Sequence, residues 1–314
     1  GYLILEVQAE LENAIPNISM KYDPEITDDD FALVCVKCAL KTAKPSFANH
    51  RMFKNELGEN YVIASCYNGL LLGGGAYTLC RLILGHIAER SAGIEDFKNN
   101  QLPYVMDVMA KYMDARIAFE VEQSGFFESI FLAKEGLIHR DRFTGMFGLV
   151  GLADAVNVLM TKEGKDDRFG HSDAATQLGV EIMDIINEFN NNHFNKYCEG
   201  TGSHFLLHAQ VGIAEDKGIA PGTRIPIGEE PEELVDHLNV ISNFHKYFVS
   251  GTGDIFPVDL TVHKNPEYVL DIIKGSWQKD IRYLSFYSSD SDVIRITGYL
   301  VKRSEIEKYE QSNA

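Results

Sequence analysis

The sequence has little cysteine and less tryptophan, with five cysteines and one tryptophan in 314 residues. The cysteines, at positions 35, 38, 66, 80 and 198, are odd in number and scattered. That excludes a secreted disulfide framework and leads us to expect a reducing, cytoplasmic setting. Gly1-Tyr2-Leu3-Ile4 has neither a basic region nor a small-residue cleavage site, so no signal peptide is expected. No run is long and apolar enough for a bilayer. The most apolar stretch, Phe147 to Met160, is short and contains Asp154 and Asn157, so no membrane partner is expected. Positive charge is scarce as well: 29 Lys and Arg face 46 Asp and Glu, a formal net charge of −17. Such a surface repels phosphate backbones, which excludes nucleic acid and favours a small-molecule substrate. Internal repeats and low-complexity tracts are absent.

What is present is an ordinary globular balance, 45% apolar and 24% charged, enough for one large domain or two modest ones. Leu3 to Leu11 has helical spacing, and Ile18 to Tyr22 alternates as a strand. Asp28, Asp29 and Asp30 offer a cap and favourable charge for a helix over 31–42, which Lys44-Pro45 stops. Tyr61 to Ser65 is β-prone and runs into Cys66-Tyr67-Asn68-Gly69, then into Gly73, Gly74 and Gly75 and an apolar segment, 77–84. Residues 104 to 135 are expected to be helical, as are 148–160 and 173–190. Residues 162 to 172 read as a charged loop, Phe205 to Ile213 as a strand, and 220–233, with three prolines, as a surface loop. Asn265-Pro266 starts a helix whose buried stripe is Tyr268, Val269, Ile272, Ile273 and Trp277. Ile281 to Tyr287 reads as a strand and 288–292 as a polar turn. Val293 to Val301 comes next, then a polar helix from about Ser304. Strands alternating with helices give an α/β expectation.

Two stretches carry candidate chemistry. Near the end stands Arg295-Ile296-Thr297-Gly298-Tyr299. A radical on a glycine α-carbon is stabilised by its amide nitrogen and its carbonyl, and any side chain would twist that planar centre. Gly298 therefore reads either as a radical-bearing residue or as a turn glycine between a strand and a helix. The second stretch places Cys66 at a strand end before a glycine tract. It is either a reactive, partly enclosed thiol or a small buried hydrophobe.

Together these stretches resemble the glycyl radical enzyme superfamily. Residues 294–301 resemble its C-terminal signature, and Asn60-Tyr61-Val62-Ile63-Ala64-Ser65-Cys66 resembles the cysteine loop of pyruvate formate-lyase. Pro16 to Tyr22 with Lys44-Pro45-Ser46-Phe47-Ala48-Asn49, and Gly148-Leu149-Val150-Gly151-Leu152-Ala153-Asp154-Ala155, match further stretches in the same order. The overall likeness points to the YjjI family. The resemblance implies the C-terminal portion of a ten-stranded α/β barrel, with a cysteine loop and a glycyl loop inside it. Residues 1–280 would be the barrel portion and 281–314 the glycyl radical region. An N-terminal part of the barrel is then expected to lie outside these 314 residues.

The resemblance further implies Gly298 as the radical site, Cys66 as the hydrogen-abstracting thiol, and a radical-SAM activating enzyme as partner. It implies anaerobic, lyase- or dehydratase-type chemistry and no bound metal, and it leaves room for a homodimer. Ser65, Asn68, Arg295 and Tyr299 are expected to support the loops or orient substrate. Three departures matter. Ser65 replaces the second cysteine of pyruvate formate-lyase, which argues against acyl transfer. Asn68 replaces the acid/base Glu of glycerol- and choline-type members and can only orient a substrate group. The four-cysteine zinc site of anaerobic ribonucleotide reductases has no counterpart. The alternatives are a radical-carrying repair module, which would need neither Cys66 nor the long intervening region, and a degenerate binding protein of the same fold.

Weaker signals point to structure. Cys35 and Cys38 share a helix face but lack a second pair for zinc, so packing is expected. Cys80 is expected in the core. His204 and His208 would lie about 13 Å apart on a strand, too far to share a metal. Gly73 to Gly75 lacks the following Lys-Ser/Thr of a phosphate loop, and is expected to give backbone freedom.

Overall fold

A computed structural model describes residues 1–11, 17–64, 67–209, 218–226, 228–288, 293–296 and 299–312. In chain order its strands are β1 (Ser19–Tyr22), β2 (Ser46–Asn49), β3 (Tyr61–Ala64), β4 (Asn68–Leu71), β5 (Gly75–Ile83), β6 (Phe143–Val150), β7 (Leu206–Ala209), β8 (Asp254–Val258), β9 (Tyr283–Ser288), β10 (Val293–Ile296) and β11 (Tyr299–Lys302). Helices intervene throughout, giving the expected mixed α/β fold. The chain divides into two compact units, Gly1–Phe53 with Ser65–Tyr67 and Gly253–Ala314, and Lys54–Ala64 with Asn68–Thr252.

The first unit holds a four-stranded sheet in the order β1-β2-β9-β8. β1 runs parallel to β2, β2 antiparallel to β9, and β9 parallel to β8. The helix Asp29–Thr42 carries the chain from β1 to β2. The Asp28 side chain accepts the Phe31 N–H at 2.9 Å, and Asp29 and Asp30 place negative charge at the positive end of the helix dipole. It ends at Ala43, in the left-handed region with φ 59°. Its apolar face, including Cys35, Val36, Ala39 and Leu40, is buried. The helix Pro266–Trp277 connects β8 to β9 and closes with the Trp277 indole N–H donating to the Tyr22 carbonyl at 3.1 Å. Its buried face is Pro266, Val269, Leu270, Ile273, Ser276 and Trp277. Tyr268 is exposed, so the apolar stripe lies to one side of the one expected from spacing.

The second unit is built on a parallel three-stranded sheet, β5-β6-β7, beside the antiparallel hairpin β3-β4. All eight residues of β6 are buried. This explains a correction: residues 148–150 are the end of a strand, and the helix begins only at Leu152. A strand covered on both faces has no polar–apolar alternation and reads like a buried helix. Gly151, at φ 74°, makes the turn between them. The expected helix over 104–135 is the helix Leu102–Glu122 followed by two short turns, Phe126–Ser129 and Phe131–Lys134. Gly125 breaks it with φ 65°. The stretch 220–233 is less superficial than expected, since Ala220, Gly222, Thr223, Arg224 and Ile225 are buried. The helix Asp173–Asn192 and the strand β7 fall where spacing puts them, whereas residues 210–213 and the turn 289–292 lie outside the described residues.

The glycine tract answers a need for close approach. A Cβ at Gly74 would sit 2.0 Å from the Arg142 carbonyl oxygen, and one at Gly75 would sit 2.7 Å from the Phe143 ring. Only backbone fits where the entry to β5 passes the start of β6. Gly74→Ala should therefore lower unfolding stability by about 2 kcal/mol through overpacking, measured by urea denaturation. Wild-type stability in that variant would mean that the two segments separate without cost.

Candidate active site

The stretches that hold the candidate cysteine and glycine each separate, along the chain, two strands that pair antiparallel. β3 and β4 pair antiparallel with Ala64 opposite Asn68, so three residues, 65–67, connect them. Ser65 and Cys66 lie outside the described residues. Tyr67, the last of the three, is 2% exposed and has φ 54°, unusual for an aromatic residue. Its ring packs 5.0 Å from that of Tyr283 in the first unit. Gly253 makes room for it, because a Cβ there would come within 3.1 Å of the Tyr67 ring and 2.8 Å of the Tyr283 ring.

β10 and β11 also pair antiparallel, with Ile296 opposite Tyr299 and Arg295 opposite Leu300. They are joined through Thr297 and Gly298, which lie outside the described residues. The glycine therefore falls between two strands, and not between a strand and a helix.

The buried thiols are poor candidates for reactivity. Burial pushes the Cys35 thiol up to about 12 and raises Cys38 and Cys198 as well. Cys38 lies 3.4 Å from the Leu5 carbonyl oxygen, and Cys198 accepts the Gly145 N–H at 3.3 Å. Cys35 and Cys38 pack as expected. Cys80 is only partly buried, less than a core position. No cluster of three His, Cys, Asp or Glu suited to a metal occurs among the described residues. The two histidines are engaged apart: His204 Nδ1 donates to the His193 carbonyl at 2.8 Å, and His208 Nδ1 to the Ser250 carbonyl at 3.2 Å.

Asn68 begins β4, two residues after Cys66 in the sequence, and its Oδ1 is buried with no hydrogen-bond partner among the described residues. The sequence reading missed the residues beside it. The Gly69 N–H donates to the Ser250 carbonyl at 2.9 Å, and Ser250 opens a fully buried, irregular Ser250-Gly251-Thr252 run in which Gly251 has φ 115°. The one signal for that run in the sequence was a short Ser-Gly-Thr-Gly string, too brief to separate from a surface turn.

The family model for YjjI-like glycyl radical enzymes matches residues 1–314. The chain belongs to this family. An uncharacterized protein of Haemophilus influenzae is 47% identical over 312 residues, covering 98% of this chain and 60% of that protein. The uncharacterized protein YjjI of Escherichia coli K12 is 42% identical over 307 residues, covering 98% of this chain and 59% of its own length. The YjjI-like chain thus spans about three-fifths of these relatives. Among solved structures, a glycyl radical enzyme from Archaeoglobus fulgidus superimposes with a TM-score of 0.74 at 14% identity, covering 96% of this chain and 52% of that one. At that identity the likeness speaks for the fold alone. No helix of the YjjI-like chain is long and apolar enough to cross a membrane among the described residues.

His208 gives this region a measurable pH response. Its complete burial lowers the imidazole from the ordinary 6.5 to about 4, although the bond to the Ser250 carbonyl opposes the shift. The folded protein thus holds the ring neutral while the unfolded chain protonates it. The stability this supplies is present above pH 6.5 and is lost as pH falls towards 4, a difference of roughly 3 kcal/mol. Thermal melts of full-length protein between pH 7 and 4 should fall less steeply for His208→Asn than for wild type. Parallel curves would show that His208 is protonated in the fold.

Proposed function

We propose that this chain is the catalytic C-terminal portion of a glycyl radical enzyme, with Gly298 as the radical-storage residue and Cys66 as the thiol that acts on a small-molecule substrate. The carrying observation is the family match over the whole chain. The rest of the reading follows. Two five-stranded halves would make a ten-stranded barrel, residues 1–280 contributing to it and 281–314 carrying the glycyl region. A radical-SAM activating enzyme would remove one hydrogen atom from the Gly298 α-carbon under anaerobic, cytoplasmic conditions. Cys66 then gives its S–H hydrogen atom to that carbon, takes one from the substrate, and returns it to the product radical. Ser65 and Asn68 orient the substrate beside the thiol, and Arg295 and Tyr299 hold the glycyl loop. Lyase- or dehydratase-type chemistry and a homodimer complete the reading. Keeping both Gly298 and Cys66 disfavours a spare radical-carrying module or a degenerate binder.

Two experiments test this reading. Full-length protein activated without oxygen should show a glycyl radical by electron paramagnetic resonance. Cys66→Ala should keep that signal and lose turnover in a metabolite screen. Turnover by the alanine variant would remove the thiol from the mechanism. On air exposure the activated protein should break at Gly298 and release a piece starting near Tyr299, because oxygen adds to a backbone carbon radical and the peroxyl product fragments. Gly298→Ala and unactivated protein should stay whole. An intact mass after demonstrated activation and aeration would displace Gly298 as the radical site.

A further inference from the structure

Two oxygen atoms of the second unit, Asn68 Oδ1 and Ser250 Oγ, are buried without hydrogen-bond partners among the described residues. Burying such an atom unpaired costs about 1–3 kcal/mol, and folded proteins tolerate few of them without a reason. Here two occur on adjacent segments, since Gly69, next to Asn68, donates its N–H to the Ser250 carbonyl at 2.9 Å. His208 Nδ1 donates to the same carbonyl at 3.2 Å. That carbonyl therefore has both lone pairs engaged, while the hydroxyl of the same residue has no partner. The contrast with Asn190 is informative. Its Oδ1 is also unpaired, but its amide nitrogen anchors it to the Phe205 carbonyl at 2.8 Å. No side-chain hydrogen bond anchors Asn68 among the described residues.

The two unpaired atoms are an amide carbonyl oxygen, which accepts, and a hydroxyl, which can do either. Asn68 presents a carbonyl oxygen. A neutral His208 whose Nδ1 carries the proton keeps a lone pair on Nε2. Ser250 Oγ can donate or accept. None of the three residues carries a fixed charge. A carboxylate or phosphate would set its own oxygens against Asn68 Oδ1 with no cation in the cluster to compensate, and would be stripped of water to enter. A ligand bringing O–H or N–H groups meets the unpaired oxygens directly.

We infer that Asn68, Ser250 and His208 form a subsite for a neutral ligand that carries hydroxyl or amide hydrogen-bond donors. Taking that ligand to be the substrate rests on the radical reading above, through the position of Asn68 two residues after Cys66.

Lactamide and lactate share a shape and differ in charge, and both can be titrated calorimetrically into unactivated full-length protein. Lactamide should bind at least ~10-fold more tightly than lactate, and Ser250→Ala or Asn68→Leu should each weaken lactamide about tenfold, the worth of one buried hydrogen bond. The same two variants should melt no lower than wild type, because each removes an unpaired polar atom. A structural role for these side chains would instead lower the melting temperature of both variants, and that result overturns the subsite. Equal or tighter lactate binding, or no lactamide binding, also overturns it. Because the titration needs no radical, its outcome is separate from the activation experiment. A missing glycyl radical defeats the reading above and leaves the subsite standing. A radical without lactamide preference defeats the subsite alone.

Discussion

The burial of the Tyr67 ring is the constraint on which the candidate site depends. The residue sits between Cys66 and Asn68 and belongs to the first unit, while Asn68 begins a strand of the second. Its ring lies against Tyr283 of β9, and Gly253, at the entry to β8, leaves the space both rings occupy. An aromatic side chain buries some 150–250 Å². That is ample to offset a left-handed backbone, which costs roughly 1–2 kcal/mol. Packing thus decides the backbone conformation beside the cysteine, against local preference.

In the second unit β6 plays the comparable part. It is the middle strand of β5-β6-β7 and is buried along its full length. It tolerates no extra atoms at two points: a Cβ at Gly145 would meet the Phe205 ring at 2.4 Å, and one at Gly148 the Cys80 carbonyl oxygen at 2.7 Å. β7, paired to it, places His208 opposite Gly148. The subsite is therefore tied by backbone pairing to a strand buried along its full length, and its polar atoms are held where water cannot relax around them.

Local chemistry was legible in the sequence wherever a single residue type forces a conformation. Asp28 capped its helix, Asn265-Pro266 opened another, and the β-prone run 61–64 formed a strand. What escaped depends on tertiary covering. Residues 148–150 have no period because both faces of β6 are covered. The proline-bearing segment 220–233 looks like surface, yet Thr223 and Ile225 are 2% exposed. The glycine tract suggested freedom, which Gly73 uses with φ 74°, whereas at Gly74 and Gly75 the fold uses the lack of a side chain. Cys66 and Gly298 were legible as motifs through family resemblance. Ser250 and His208 were not, because neither spacing nor composition marks two residues that meet only through the carbonyl of one of them.

The pairing of Ala64 with Asn68 also limits how this region can diverge. Side chains on a strand alternate between faces, so gain or loss of one residue within 65–67 would reverse the face of Asn68 or put Gly69 in its place. Insertions and deletions in the connector therefore shift the register, whatever side chains it carries. Related chains should accordingly keep the number of residues in this connector, a length conservation that follows from the ladder and adds to what the chemistry of the thiol demands.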